Sequence, residues 1–471
     1  MSDSVTRLFN QALDALARGG GDLPERAESM RSVLLSPPQV VIVGRLKAGK
    51  STLVNALTGS KVAATAALEC TNAVSIYRNG SPSRAEVVGI DGQRLRQDLV
   101  GGMLTELPLP VERVAYVDRF LPSRALEGIS LIDTPGLATL TTANADATHR
   151  ALIDGFDQTA EAAVDADAVV FLFDTAPRKD ELEFLNKLGF TPLNSIGVLN
   201  RADSFGEGAM GRTDPIQDAA SHCHHMSREL ADSVYTVIPM AGLLAESSRS
   251  GSVTQAVSRL LVRLADLDRE SMLEELESEE PTTISGTDRD MLLDILGEYG
   301  VIYGARVAAE SGAIGLANWM QTQSGIGALE EKLHTEVLPQ AVLQRSARLI
   351  DELDRLAYTH PQRDHIRQVL HILTTRPEMY RINLFRSFRG LLLSSPDSRL
   401  VTIVAKLLGT GSIGERVGAA VDASPDDVVL RCQELIASLQ TMAMSTLSAA
   451  EEDARTASIL TLRSIMQSIQ A

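Results

Sequence analysis

The chain is poor in aromatic residues, cysteine and positive charge, and it lacks any long apolar run. Aromatics make up 4% of its 471 residues. Its three cysteines, Cys70, Cys223 and Cys432, are odd in number and widely spaced. That pattern excludes a disulfide framework and fits a reducing compartment. No stretch of about 18 apolar residues occurs, so no spanning helix is expected. The most apolar late stretches, 300–320 and 391–408, are cut by Arg306 and Glu310, and by Asp397, Arg399 and Lys406. The first 21 residues are amphipathic and broken by charge, unlike a secretory leader. Lys and Arg total 44 against 61 Asp and Glu, a formal net charge of −17. So acidic a chain lacks the global field that grips nucleic-acid phosphates, and no nucleic-acid partner is expected.

What is present is 44% hydrophobic and 22% charged, a globular balance. At roughly 150 residues per domain, the length suggests about three domains. Val5, Leu8, Phe9, Leu13 and Leu16 share one helical face, and Gly19-Gly20-Gly21 ends it. A second helix is expected over 24–35, before Ser36-Pro37-Pro38. From about 39 to 268, short β-rich runs (40–43, 130–132, 168–173, 196–199, 235–238) alternate with helical stretches. That alternation predicts a parallel α/β sheet. Eight acidic residues then fall between Asp266 and Glu280, which reads as a solvated linker. Helical spacing dominates beyond it. One long helix is marked by Leu329, Leu333, Val337, Leu343, Ile350, Leu353 and Leu356, with a kink at Pro339. Another runs from Val429 toward Ile469.

Residues 44–51, GRLKAGKS, match the phosphate-loop pattern between a strand (40–43) and a helical run (STLVNAL). Gly44, Ala48 and Gly49 let backbone amides turn toward phosphate oxygens, and Thr52 begins the helix beside them. The Lys50 ammonium reaches the terminal phosphates, and the Ser51 hydroxyl is a ligand for Mg²⁺. Asp133-Thr134-Pro135-Gly136 follows the strand ISLI. Its carboxylate is expected on the metal through water and its Gly136 amide on the γ-phosphate. Asn200-Arg201-Ala202-Asp203 follows the strand IGVL. One carboxylate there can accept both N1–H and the 2-amino group of guanine, a pair adenine lacks. The order of these three motifs predicts a GTP-binding domain.

The stretch between Lys50 and Asp133 is longer than a compact GTPase needs. It holds two candidates for the switch threonine that meets Mg²⁺ and γ-phosphate, Thr71 first and Thr65 second. His222-Cys223-His224-His225 is badly spaced for one ion, since adjacent helical residues diverge by about 100°. Residues 376–393 carry Arg376, Arg381, Arg386 and Arg389, interleaved with Tyr380, Phe385 and Phe388. Such a helix can lie among anionic headgroups, with Arg381, Phe385, Arg386, Phe388 and Arg389 as the contact, or be an ordinary bundle helix.

The phosphate loop with STLVNAL, the switch LECTNAV followed by YRNG, DTPG, NRAD and PMAGLLAES together resemble bacterial dynamin-like GTPases, nearest the isoniazid-inducible group of actinobacteria. The likeness is good over 38–250 and thinner beyond. NRAD departs from the usual pattern in having Arg for Lys. The resemblance implies an α/β GTPase domain, mostly parallel, inserted into a helical stalk built from both ends of the chain. The expected division is 1–36, neck or stalk helices; 37–268, GTPase domain; 269–287, acidic linker; 288–471, stalk, with a membrane-contact tip near 376–414. It places Ala241 in the last guanine loop. Leu137 stands where small GTPases carry a water-orienting Gln, and a leucine cannot orient water. Lys47 stands where atlastin-like and guanylate-binding GTPases carry an internal arginine finger. Its ammonium is expected to neutralise charge between β- and γ-phosphate, or else to be a solvated loop lysine. The resemblance further implies GTP/GDP and Mg²⁺ as ligands and self-association through GTPase heads. It also implies anionic lipid, a paralogous partner, and a place on the inner face of the cytoplasmic membrane. A soluble GTP-dependent switch acting on a protein partner is the alternative.

Overall fold

A computed structural model describes residues 3–45, 47–63, 74–99, 104, 107–134, 166–442 and 447–470. The chain divides into two compact units. One comprises Gln39–Glu181 and Ser195–Leu333, and the other Met1–Pro38, Leu182–Asn194 and His334–Ala471.

Among the described residues, the first unit is built on nine strands. These are β1 (Gln39–Gly44), β2 (Ser75–Asn79), β3 (Arg84–Gly89), β4 (Arg94–Gln97), β5 (Val114–Leu121), β6 (Ser130–Asp133), β7 (Ala168–Phe173), β8 (Ser195–Asn200) and β9 (Val237–Met240). Their order is β4-β3-β5-β2-β6-β1-β7-β8-β9. The half from β6 to β9 is parallel throughout. Both β7 and β8 are buried at every position. Continuous apolar runs such as AVVFLF are what a sheet covered on both faces requires. β2 joins antiparallel to β6, and β3 and β4 add an antiparallel margin. The outermost strand, β4, carries Arg94 and Arg96, charges that discourage edge-to-edge pairing.

Register does the positioning. Ile42 of β1 pairs with Asp133 of β6, so Asp133 and the phosphate loop leave the sheet at the same edge. Asn200 ends β8 opposite Met240. Open α/β sheets bind ligands beyond these carboxyl ends.

The acidic stretch differs from a linker. It contains the helix Arg269–Glu277, capped by Asp268, whose carboxylate accepts from the Ser271 amide at 2.8 Å. Met272 and Leu276 are buried. The following helix, Gly286–Gln323, also belongs with the sheet, not with the later helices. Its Leu292, Leu296, Tyr299 and Leu316 share a core with Leu244 and Leu261. It breaks at Gly297 and Gly312, at φ 63° and 64°.

The second unit is helical. The helices α1 (Asp3–Ala17) and α2 (Leu23–Leu35) contribute Phe9, Leu13, Leu16 and Leu23 to one core with Ile350, Phe385 and Leu462. The expected long helix around Pro339 is three pieces: Ile326–Lys332, which belongs to the first unit, a π turn at Leu333–Val337, and Leu338–Thr359. The C-terminal helical pattern is carried by Pro425–Met442 and Ala449–Gln470. Among the described residues, no helix is long and apolar enough to cross a membrane.

The helix Tyr380–Ser394 takes Phe385 and Phe388 out of the expected lipid contact. Phe385 and Phe388 are buried in the helical core. Arg381 donates to the carbonyls of Leu408 and Gly409, at 2.8 and 3.1 Å. Arg386 and Arg389 both bond Asp351, at 2.8 and 2.9 Å, and Arg386 also reaches Asp354. Bundle packing and a headgroup layer ask for the same amphipathic pattern, and here the bundle uses it.

Candidate nucleotide site

The phosphate loop passes from β1 into the helix α3 (Lys50–Thr58). Gly49 caps that helix at φ 98°. A Cβ on Gly49 would lie 2.2 Å from Asn200 Nδ2, so both backbone shape and space demand glycine. The Asn200 amide donates to the Ala48 carbonyl at 2.7 Å, fastening the guanine motif to the phosphate loop. A second tie runs from Arg201 Nη2 to the Lys47 carbonyl, at 3.3 Å. Lys47 and Arg201 have φ of 64° and 57° and are the positive-φ non-glycine residues among those described. Such strain concentrates where loops are held for a ligand.

Lys50 is buried, and its ammonium donates to the Gly44 and Arg45 carbonyls, each at 3.1 Å. Burial pushes its pKa down, while Asp133 opposes the shift. Asp133 Oδ2 lies 3.5 Å from Ser51 Oγ. Its Oδ1 is buried without a hydrogen-bond partner among the described residues. Burial raises the Asp133 pKa to about 6, against the pull of Lys50, Arg119 and Ser51. A hydroxyl beside a carboxylate with one free oxygen fits a hydrated Mg²⁺, a hard cation that takes oxygen ligands and keeps several waters. Thr134 Oγ1 donates to the Ile42 carbonyl at 2.9 Å and fixes the exit of β6.

On the guanine side, burial raises the pKa of Asp203. Thr52 stands next to Gly242: a Cβ there would lie 3.5 Å from the Thr52 methyl and 2.9 Å from Asn200 Oδ1. Ala241, expected in the last guanine loop, is the cap residue of the helix Gly242–Arg249. Its amide is taken by the Ser324 carbonyl at 2.9 Å, and the amide facing Asn200 Oδ1 is that of Gly242, at 3.2 Å. A backbone amide has no side-chain signature, so nothing in the sequence singled out Gly242. Thr71, Thr65, Gly136 and Leu137 lie outside the described residues. On the helix Pro215–Glu229, Cys223 points into the core while His225 faces Glu229 at 3.1 Å.

Residues 39–201 match the 50S ribosome-binding GTPase family. The isoniazid-induced protein IniC of Mycobacterium tuberculosis is 28% identical over 386 residues, covering 76% of this chain and 76% of that protein. Among solved structures, a bacterial dynamin pair aligns with 99% of this chain and 74% of its own at 12% identity and a TM-score of 0.32. That pair is described as oligomerised, with a mechanism for long-range sensing and tethering of membranes. Aquifex aeolicus Era bound to GDP and AlF4⁻ aligns with 52% of this chain and 69% of its own, at 18% identity and a TM-score of 0.25. Both scores are low, and the GTPase assignment rests on the family match and the site. The chain is a GTPase whose nucleotide domain matches the 50S ribosome-binding GTPase family over residues 39–201, and it is similar to IniC over three quarters of its length.

Proposed function

We propose that this chain hydrolyses GTP with Mg²⁺ and couples hydrolysis to self-association and to remodelling or repair of the inner face of the cytoplasmic membrane. The observation that carries the hydrolytic part is the pairing of Ser51 with Asp133, whose second oxygen has no partner among the described residues. When bound there, Mg²⁺ supplies charge neutralisation on the β- and γ-phosphate oxygens. Gly44, Ala48, Gly49 and Lys50 hold the phosphates. Asn200, Arg201 and Asp203 hold guanine, with Gly242 beside them. Thr71 is the switch residue, Thr65 the substitute, and the Gly136 amide senses the γ-phosphate. Lys47 supplies positive charge between β- and γ-phosphate in place of a finger from another molecule.

The likeness to IniC and to bacterial dynamin-like GTPases supports the membrane part. Head-to-head self-association, a paralogous partner and peripheral attachment from the cytoplasm belong to the same reading. A second reading, a GTP-dependent switch acting on a protein partner, is favoured by one observation. The arginine-rich helix Tyr380–Ser394 spends Phe385 and Phe388 on the bundle core, which withholds them from lipid.

GTP turnover with and without anionic liposomes, at matched protein concentration, separates the two. Stimulation of several-fold together with sedimentation on the vesicles is the expected result. Unchanged turnover without sedimentation would overturn the membrane part and leave the switch.

A further inference from the structure

A buried polar cluster grips the chain where it leaves α3 toward the candidate switch threonines. Asn55, on α3, is 1% exposed. Its Oδ1 accepts from the amides of Val62 and Ala63, at 2.8 and 2.7 Å. Its Nδ2 donates to the Ala63 carbonyl at 3.1 Å and to Glu246 Oε1 at 2.8 Å. Arg119, on β5 and 4% exposed, donates Nη1 to the Val62 carbonyl at 2.7 Å. Two side chains thus satisfy the backbone amide and carbonyl of both Val62 and Ala63.

Holding two consecutive residues in this way is costly if any partner is lost, because each buried group left alone bears its full desolvation penalty. Apolar packing would keep this segment buried with less geometric demand. The polar clamp adds a single defined position. Its members come from the elements that make the nucleotide site. Asn55 follows Lys50 and Ser51 on one helix. Glu246 lies on the helix Gly242–Arg249, which begins at the amide facing Asn200. Tyr77, opposite Arg119 in the sheet, is two residues beyond Ser75, which pairs with Asp133.

We propose that Asn55 and Arg119 are positioning residues for GTP hydrolysis, with Glu246 linking the guanine-side helix to the same clamp. They hold Val62 and Ala63 as the fixed root from which the switch stretch departs. Their action falls on the γ-phosphate side of the reaction and leaves the seat of GDP alone. This inference rests on the switch role assigned above to Thr71 or Thr65.

The test uses the full chain and three variants: Asn55→Asp, Arg119→Lys, and Asn55→Asp combined with Glu246→Gln. Asn55→Asp sets a carboxylate against Glu246. The added Glu246→Gln restores a donor across that pair and is the rescue. Arg119→Lys keeps the charge near Asp133 and withdraws the bond to Val62. In Asn55→Asp and in Arg119→Lys, kcat is expected to fall by about 10- to 100-fold, as misplaced reacting groups do. Affinity for GDP should stay within about twofold and affinity for a non-hydrolysable GTP analogue should fall by about tenfold. The double variant should recover part of the loss, since the donor to the Ala63 carbonyl is not replaced. Equal losses for GDP, analogue and turnover would make the cluster merely structural and overturn the proposal. Unchanged values, or no rescue, would overturn it as well. Should Asn55→Asp fail to fold, Arg119→Lys alone carries the GDP-against-analogue contrast. A parent protein without turnover would sink the hydrolytic reading, whereas the binding contrast would still decide the clamp.

Discussion

Arg45 and Glu181 meet in a two-pronged ion pair, Nε to Oε1 and Nη2 to Oε2, both at 2.7 Å. Their side chains are 17% and 7% exposed. Arg45 is the first residue of the phosphate loop after Gly44, so the pair fixes the loop where it leaves β1. Glu181 is itself held by the Arg178 amide at 2.7 Å. Removing one partner of a buried pair strands the other charge. Glu181→Ala should therefore destabilise the domain by about 3–5 kcal/mol, whereas Arg45→Met with Glu181→Leu should recover much of that. Urea midpoints of the single and double variants measure both. A double variant no more stable than Glu181→Ala would contradict the stranded-charge account.

The second prediction separates the two parts Lys47 can play. Its backbone is left-handed, and its carbonyl is bonded by Arg201. Lys47→Gly relieves the backbone and removes the amine; Lys47→Ala removes the amine and keeps the strain. Glycine should be the more stable of the two by about 1 kcal/mol. If the ammonium acts on the phosphates, both variants lose about 10³-fold in kcat at saturating GTP. Normal turnover in Lys47→Gly would leave Lys47 a solvated loop residue.

The third prediction concerns pH and follows from Asp133. Its pKa stands at about 6 in the folded protein against 3.8 for the unperturbed group, chiefly through burial. Between those values the folded state keeps a proton that the unfolded chain has released. The contribution of this group to stability is therefore full below about pH 4 and lost as pH rises through about 6. The melting temperature of the nucleotide-free protein should fall over that window relative to Asp133→Asn. Mg²⁺ competes with the proton, so its enhancement of nucleotide binding should grow from about pH 5 to about pH 7. Parallel pH profiles for parent and Asp133→Asn would refute the assignment.

The legible parts of the sequence were those with a local physical signature. β1 and β7 could be read because a strand covered on both faces needs an unbroken apolar run. The phosphate loop could be read because few other sequences turn amides toward a ligand between a strand and a helix. Asn55 and Glu246 could not be paired, since 191 residues separate them and each is an unremarked polar residue on a helix. The helix Gly286–Gln323 looked like stalk because its apolar period is the same whichever surface it covers. Phe385 and Phe388 failed as lipid contacts for that same reason.

That ambiguity shapes the fourth prediction. Arg381 is half-buried against two carbonyls, and desolvation, with Arg416 adding to it, lowers its pKa to about 10. Arg381→Glu would turn a carboxylate on the carbonyls of Leu408 and Gly409, where no donor replaces the guanidinium. A loss on the order of 3 kcal/mol in stability is expected, with or without vesicles. Arg386→Glu brings like charge to Asp351 and Asp354 and should destabilise less, because those acids are 42% and 44% exposed. Reduced vesicle binding by either variant would then report a damaged bundle. Pairing Arg386→Leu with Asp354→Leu removes one opposite-charge pair, keeps the net charge of the face and leaves the bond between Arg389 and Asp351 in place. If that double variant regains both melting temperature and vesicle binding, the helix serves the fold and membrane contact lies elsewhere. If it regains stability but not vesicle binding, Arg386 itself meets lipid.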